Sequence, residues 1–104
     1  MKLAIATATV LMLITTTASS ADKQYCKFLG EVATATMKLR QMDTDLTKSM
    51  EILSENAPDE ANKKLFIDMA LMAYDEPAYA TEEMQEKAVA TFSNKIQLNC
   101  YNRN

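Results

Sequence analysis

Cys26 and Cys100 are the only cysteines in the chain and lie 74 residues apart. What such a pair does depends on the compartment, because thiols stay reduced in the cytosol and pair outside it. The start of the sequence supplies the compartment. Met1-Lys2 gives a short positive start, Leu3 to Ile14 carries no charge, and Thr15 to Ala21 is small and polar. That is the layout of a secretory signal, and Ser19-Ser20-Ala21 puts small residues where a signal peptidase reads them. The expected signal peptide is residues 1–21, leaving residues 22–104 as a single exported domain. A retained anchor is the rival reading, since no charge interrupts Leu3 to Ala21. A span needs about 20 apolar residues, and this stretch is diluted by Thr and Ser, so no stable membrane insertion is expected after cleavage.

In an exported chain an even cysteine count points to a disulfide, here Cys26–Cys100. Closing a loop of about 75 residues removes roughly 4.5 kcal/mol of unfolded-state freedom in the entropy model. A redox-active pair or soft-metal site is the alternative, but redox motifs set their thiols two residues apart.

Along residues 22–104 every segment reads as helix. Tyr25, Phe28, Leu29, Val32, Ala33, Met37 and Leu39 recur at helical spacing from Lys23 to about Gln41. Asp43 or Thr44 can cap a shorter helix carrying Leu46, Met50 and Leu53. Asn56-Ala57-Pro58-Asp59 breaks it, and Pro58 suits the first turn of a third helix. That helix turns Ala61, Leu65, Phe66, Met69, Met72 and Ala73 inward and stops near Asp75, ahead of Pro77. Thr81 then caps a fourth helix, with Met84, Ala88, Phe92, Ile96 and Cys100 spaced four apart. The expected fold is all-α: a small four-helix bundle, one domain, with a disulfide joining first and last helices. In the antiparallel register that the bridge requires, Tyr25, Phe28 and Leu29 should meet Ile96 and Tyr101.

Composition removes several function classes. With 11 Lys and Arg against 14 Asp and Glu, the net charge of −3 offers no basic field, which argues against nucleic acid as a partner. There is no His to act as base or metal ligand, and the one Gly, Gly30, leaves no phosphate-cradling loop. Asp43-x-Asp45-x-Thr47 opens like a calcium loop but has Lys48 and Ser54 where Gly and Glu belong, so no metal site is assigned. The methionines, Met69-x-x-Met72 among them, suit core packing first; a Met-lined groove for a partner helix or a Cu(I) site are the functional rivals. No nucleophile–base pair can be assembled, so no catalytic residue, enzymatic activity or cofactor is expected.

Asp75 and Glu76 sit at the wrong end of the third helix for its dipole, which singles out the Pro77 loop as a contact site. Arg40 and Gln41 end the first helix, where an Arg meets the negative helix terminus or anchors a partner. The possible partner-contact set is therefore Arg40, Gln41, Tyr74, Asp75, Glu76 and Pro77.

Strung together, Cys26, Arg40-Gln41, Ala73-Tyr74 with Pro77, Phe92 and Cys100 form a pattern that resembles a group of uncharacterised small exported proteins of Gram-negative bacteria and their phages. The resemblance implies a periplasmic setting, or secretion, and carries over no site residues. The general build is also similar to phage periplasmic regulators that restrain a lysozyme or a holin, and to acid-activated periplasmic chaperones. The expectation is thus a non-catalytic exported module acting by protein–protein contact, an inhibitor or lysis regulator whose acidic charge suits a basic partner. The alternative is an acid-stress chaperone.

Overall fold

The computed structural model describes residues 20–103, which form four helices: α1 (Ser20–Gln41), α2 (Leu46–Glu55), α3 (Glu60–Tyr74) and α4 (Glu82–Arg103). The expected signal peptide lies outside the described residues except for Ser20 and Ala21, which open α1. Among the described residues there is no strand, and no helix is long and apolar enough to cross a membrane.

Helix ends follow local chemistry. At the end of α1, Asp43 takes a left-handed backbone (φ 61°), the Asp43 N–H bonds Arg40 O at 2.9 Å, and the Thr44 N–H bonds Leu39 O at 3.0 Å. This paired closure normally recruits Gly at the left-handed position. Asp43 and Thr44 are thereby committed to finishing α1, so the cap of α2 is neither of them. It is Asp45, whose Oδ2 accepts the Lys48 N–H at 3.2 Å. The start of α3 departs from expectation in the same way: Pro58 precedes the helix, and Asp59 is its cap. Asp59 Oδ1 accepts the Asn62 N–H at 2.8 Å and the Asn62 side-chain amide at 3.0 Å. Those bonds hold its carboxyl below the usual aspartate range. Thr81 caps α4 as expected, its Oγ1 accepting the Met84 N–H at 3.2 Å.

Cys26, Leu29, Ala33, Thr36, Met37 and Gln41 are buried along α1 at spacings of three and four, a stripe wide enough to serve two neighbours. One flank meets α4, which runs antiparallel along it; the other meets α3, with α2 beyond. The Cys26–Cys100 disulfide closes the α1–α4 pair, its Cα atoms 5.5 Å apart. Near it the helices come close enough that a Cβ on Gly30 would fall 2.6 Å from the Gln97 amide, and Ser93 Oγ donates to Gly30 O at 2.9 Å. The apolar cluster expected beside the bridge forms in part, since Tyr25 and Leu29 border one hollow with Ile96 and Cys100 while Phe28 turns to α3. Leu29 stays near Ile96, Phe28 stacks against Phe66 of α3 with centroids 6.0 Å apart, and Tyr25 donates to Asn62 Oδ1 at 2.8 Å. Phe66, Met37 and Met69 are the largest of the fully buried apolar side chains, each contributing about 1.5–3 kcal/mol by leaving water.

α3 and α4 both lean on α1, and their backbones stay apart along most of their length. The bundle is open along that seam.

Candidate functional site

The Pro77 loop crosses the end of the open seam, and α1 holds it there. Arg40 Nε donates to Glu76 O at 2.7 Å, and Gln41 Nε2 donates to Pro77 O at 2.9 Å. Gln41 Oε1 accepts the Tyr79 N–H at 2.8 Å, so one amide satisfies two backbone groups of the loop. The Arg40 guanidinium also lies 5.0 Å over the Tyr74 ring, within cation–π range, and 3.5 Å from Asp43 Oδ1. Tyr74 has one phenolic proton, which it gives to Thr44 O at 2.6 Å. The 2.6 Å contact with the buried Ser49 hydroxyl must then be donated by Ser49. Arg40, Gln41, Tyr74, Glu76 and Pro77 thus converge as the sequence pattern grouped them, but through internal bonds. The loop is gripped by its main chain, which leaves the Asp75, Glu76 and Pro77 side chains exposed. Asp75 caps α3 through its backbone N–H.

This grip fixes the near end of a groove. Met37 and Phe92 form its floor; Met72 and Glu76 stand on the α3 side, Tyr79 and Met84 on the other, around about 380 Å³. Beyond Met72 the seam continues as a second hollow of about 260 Å³ towards the disulfide, between Leu65, Asp68 and Met69 on α3 and Ile96 and Asn99 on α4. The groove is hydrophobic inside because Met72 and Met84, expected to point inward, reach the edge of their stripes where no helix covers them. Ala61 is likewise exposed and Leu65 only half-buried.

The two rims differ in charge. The α4 rim carries Lys87, Thr91 and Lys95 at one-turn spacing, and neither lysine has a carboxylate within 4 Å among the described residues. On the α3 rim, Asp68 is already paired with Lys64 at 3.4 Å. Sequence reasoning missed these lysines because nothing local distinguishes them from ordinary solvated charges.

A further trench lies between α1 and α2, lined by Phe28, Val32, Leu39, Met42 and Ile52, with Lys38 as its one charged residue. It lacks a charged rim to orient a ligand. Among the described residues no group of three or more Asp, Glu or Cys side chains gathers that could hold a metal ion; of the calcium-like triplet, Asp43 and Asp45 serve helix ends. No protein-family model, curated protein or solved structure matches the chain.

Proposed function

We propose that this protein is an exported, non-catalytic binding module whose α3–α4 groove receives an amphipathic helix of another protein and so holds or restrains that partner. The observation that carries this reading is the open seam: two helices packed on a third, with Met72, Met84, Met37 and Phe92 facing a space that no part of the described chain fills. Methionines suit such a surface because the unbranched thioether repacks around different ligands. The α3 wall runs from Leu65 to Tyr74, about 14 Å of helix, which is long enough for a docked helix with apolar residues at i, i+3 or i+4, and i+7.

The rim sets the sign of the partner. The acidic balance of the chain favours a basic target, but along the α4 edge a docked helix meets Lys87 and Lys95, with Glu76 opposite them only at the loop end. An acidic edge on the partner helix complements them. A periplasmic or secreted setting agrees with the leader sequence and with a disulfide between terminal helices.

Photocrosslinking tests the reading directly. A photoreactive residue is placed in turn at Met72, Met84, Met42 in the α1–α2 trench, and Leu98 on the outer face of α4. The expected result is an adduct from Met72 and Met84 alone, whose crosslinked peptide is an acidic amphipathic helix. Adducts from Met42 or Leu98 alone, a crosslinked second copy of this chain, or no adduct at all would overturn it.

A further inference from the structure

We propose that Met72 and Met84 are a redox-sensitive pair, and that oxidation of their thioethers to sulfoxides closes the α3–α4 groove to an apolar helix. The inference rests on the groove reading above, and names its regulation.

The composition directs the oxidant to methionine. The chain has no His and no Trp, and its two cysteines are joined in a disulfide buried between α1 and α4. The fast targets of a two-electron oxidant other than methionine are therefore absent or shielded. Burial then sorts the methionines. Met37 and Met69 are 0% and 2% exposed, whereas Met72, Met84 and Met42 are 36%, 41% and 68% exposed. Met72 and Met84 face the same hollow, and Met42 lies in the α1–α2 trench.

The chemistry balances with hypochlorous acid or hydrogen peroxide as the oxidant. A sulfur lone pair attacks the electrophilic oxygen and forms the S–O bond. With hypochlorous acid the O–Cl bond breaks and chloride and a proton leave; with hydrogen peroxide the O–O bond breaks and water leaves. Sulfur loses two electrons and the oxidant gains them. The product is a polar acceptor in place of a soft apolar group. A docked apolar residue displaces water from the sulfoxide oxygens and offers them no donor of its own, so affinity falls. Met42 oxidises as well but touches no part of the groove, which makes it an internal control.

The disulfide-bonded protein is titrated with hypochlorous acid, and sulfoxides are mapped by peptide mass spectrometry. Groove occupancy is read by anisotropy with a fluorescein-labelled synthetic helix bearing leucines at i, i+3 and i+7 and glutamates along one edge. Met42, Met84 and Met72 should oxidise well before Met37 and Met69. Peptide affinity should fall at least tenfold as Met72 and Met84 convert, and methionine sulfoxide reductases should restore it. Whatever affinity a Met72→Leu, Met84→Leu protein has before oxidant should stay constant through the same titration. Loss of affinity in that variant, unchanged affinity after both sites convert, or equally fast oxidation of Met37 and Met69 overturns the proposal. A peptide that never binds the unoxidised protein sinks the groove reading and the gating with it. The order of oxidation still reports separately on the reactivity of Met72 and Met84.

Discussion

The side-chain amide of Gln41 meets the backbone of Tyr79 as a neighbouring strand would. Its Oε1 accepts the Tyr79 N–H at 2.8 Å, while its Nε2 donates to Pro77 O at 2.9 Å. Gln41 is buried and the loop it serves contains no helix of its own, so these part-buried backbone groups rely on Gln41 rather than on a helical ladder. Gln41→Ala is expected to cost about 2 kcal/mol, a fall in Tm of roughly 10 °C. Gln41→Glu should cost at least as much, because a carboxylate cannot donate to Pro77 O. Thermal melts of both variants check this, and a Tm within 2 °C or so of the parent would show that the grip is ornamental.

Tyr74 and Ser49 should behave as one unit. The phenol accepts from Ser49 and donates to Thr44 O, tying α3 to the start of α2. Tyr74→Phe strands a fully buried Ser49 hydroxyl, and Ser49→Ala removes one of the phenol's two partners. Each single change is expected to cost about 1–2 kcal/mol, with the double variant costing less than their sum. Denaturant unfolding of the four proteins measures the coupling; strict additivity would refute it.

The cap of α3 ties stability to acid. Asp59 has its carboxyl held low chiefly by the Asn62 backbone N–H, then by the Asn62 side chain. A carboxylate lowered in the folded state stabilises above its unfolded pKa and loses that contribution as pH falls through the folded one, so the window lies below about pH 4. Amide exchange at Asn62, corrected for its intrinsic rate, should rise there, and Asp59→Asn should abolish the pH dependence. No Asp or Glu side chain among residues 22–103 is buried, so neutralising the carboxylates does not unlock the core. Hydrophobic-dye fluorescence is accordingly expected to stay flat from pH 7 to 3. A strong rise would favour the acid-stress chaperone.

Much of this was legible in the sequence, and for local reasons. Apolar spacing and capping residues act within a turn or two, so the four helices, the Thr81 cap and the register of the disulfide could be read from the chain alone. The cap of α2 could not, because Asp43, Thr44 and Asp45 are adjacent candidates; the closure of α1 uses the first two and leaves the third. Arg40 and Gln41 stood out as residues, but their targets are main-chain groups of Glu76, Pro77 and Tyr79, which carry no signature in the sequence. Met72 and Met84 fall on the right stripe for a core. Whether a stripe is covered depends on which helices approach closely, and the backbones of α3 and α4 stay apart along this one.

Asp43 offers a way to stabilise the protein. Its left-handed backbone is one that Gly adopts freely, whereas an L side chain is disfavoured there. The exposed contact with Arg40 at 3.5 Å returns little of that cost. Asp43→Gly should therefore be neutral to about 1 kcal/mol stabilising, and Asp43→Val destabilising by more than 1 kcal/mol or so. Melts of both variants settle the sign.

Removing the bridge tests the architecture as a whole. Cys26→Ser with Cys100→Ser is expected to cost about 2–5 kcal/mol, leaving a marginal domain. Circular dichroism melts with and without reductant should show the parent losing a comparable amount on reduction. An unchanged Tm would mean that α1 and α4 hold together without their covalent link.

The packing of α4 along α1 also imposes an order of events during synthesis. α2 and α3 can pair as soon as they emerge, since they are neighbours in the chain. The partner of α1 is the farthest from it in the chain among the described helices, so until α4 has followed, α1 keeps one flank of its stripe bare and Cys26 has no mate. A nascent chain cut short before Cys100 exposes both an apolar flank and a free thiol, the two marks that chaperones and thiol oxidoreductases recognise. Closure of the core and of the disulfide thus waits on the same helix, α4.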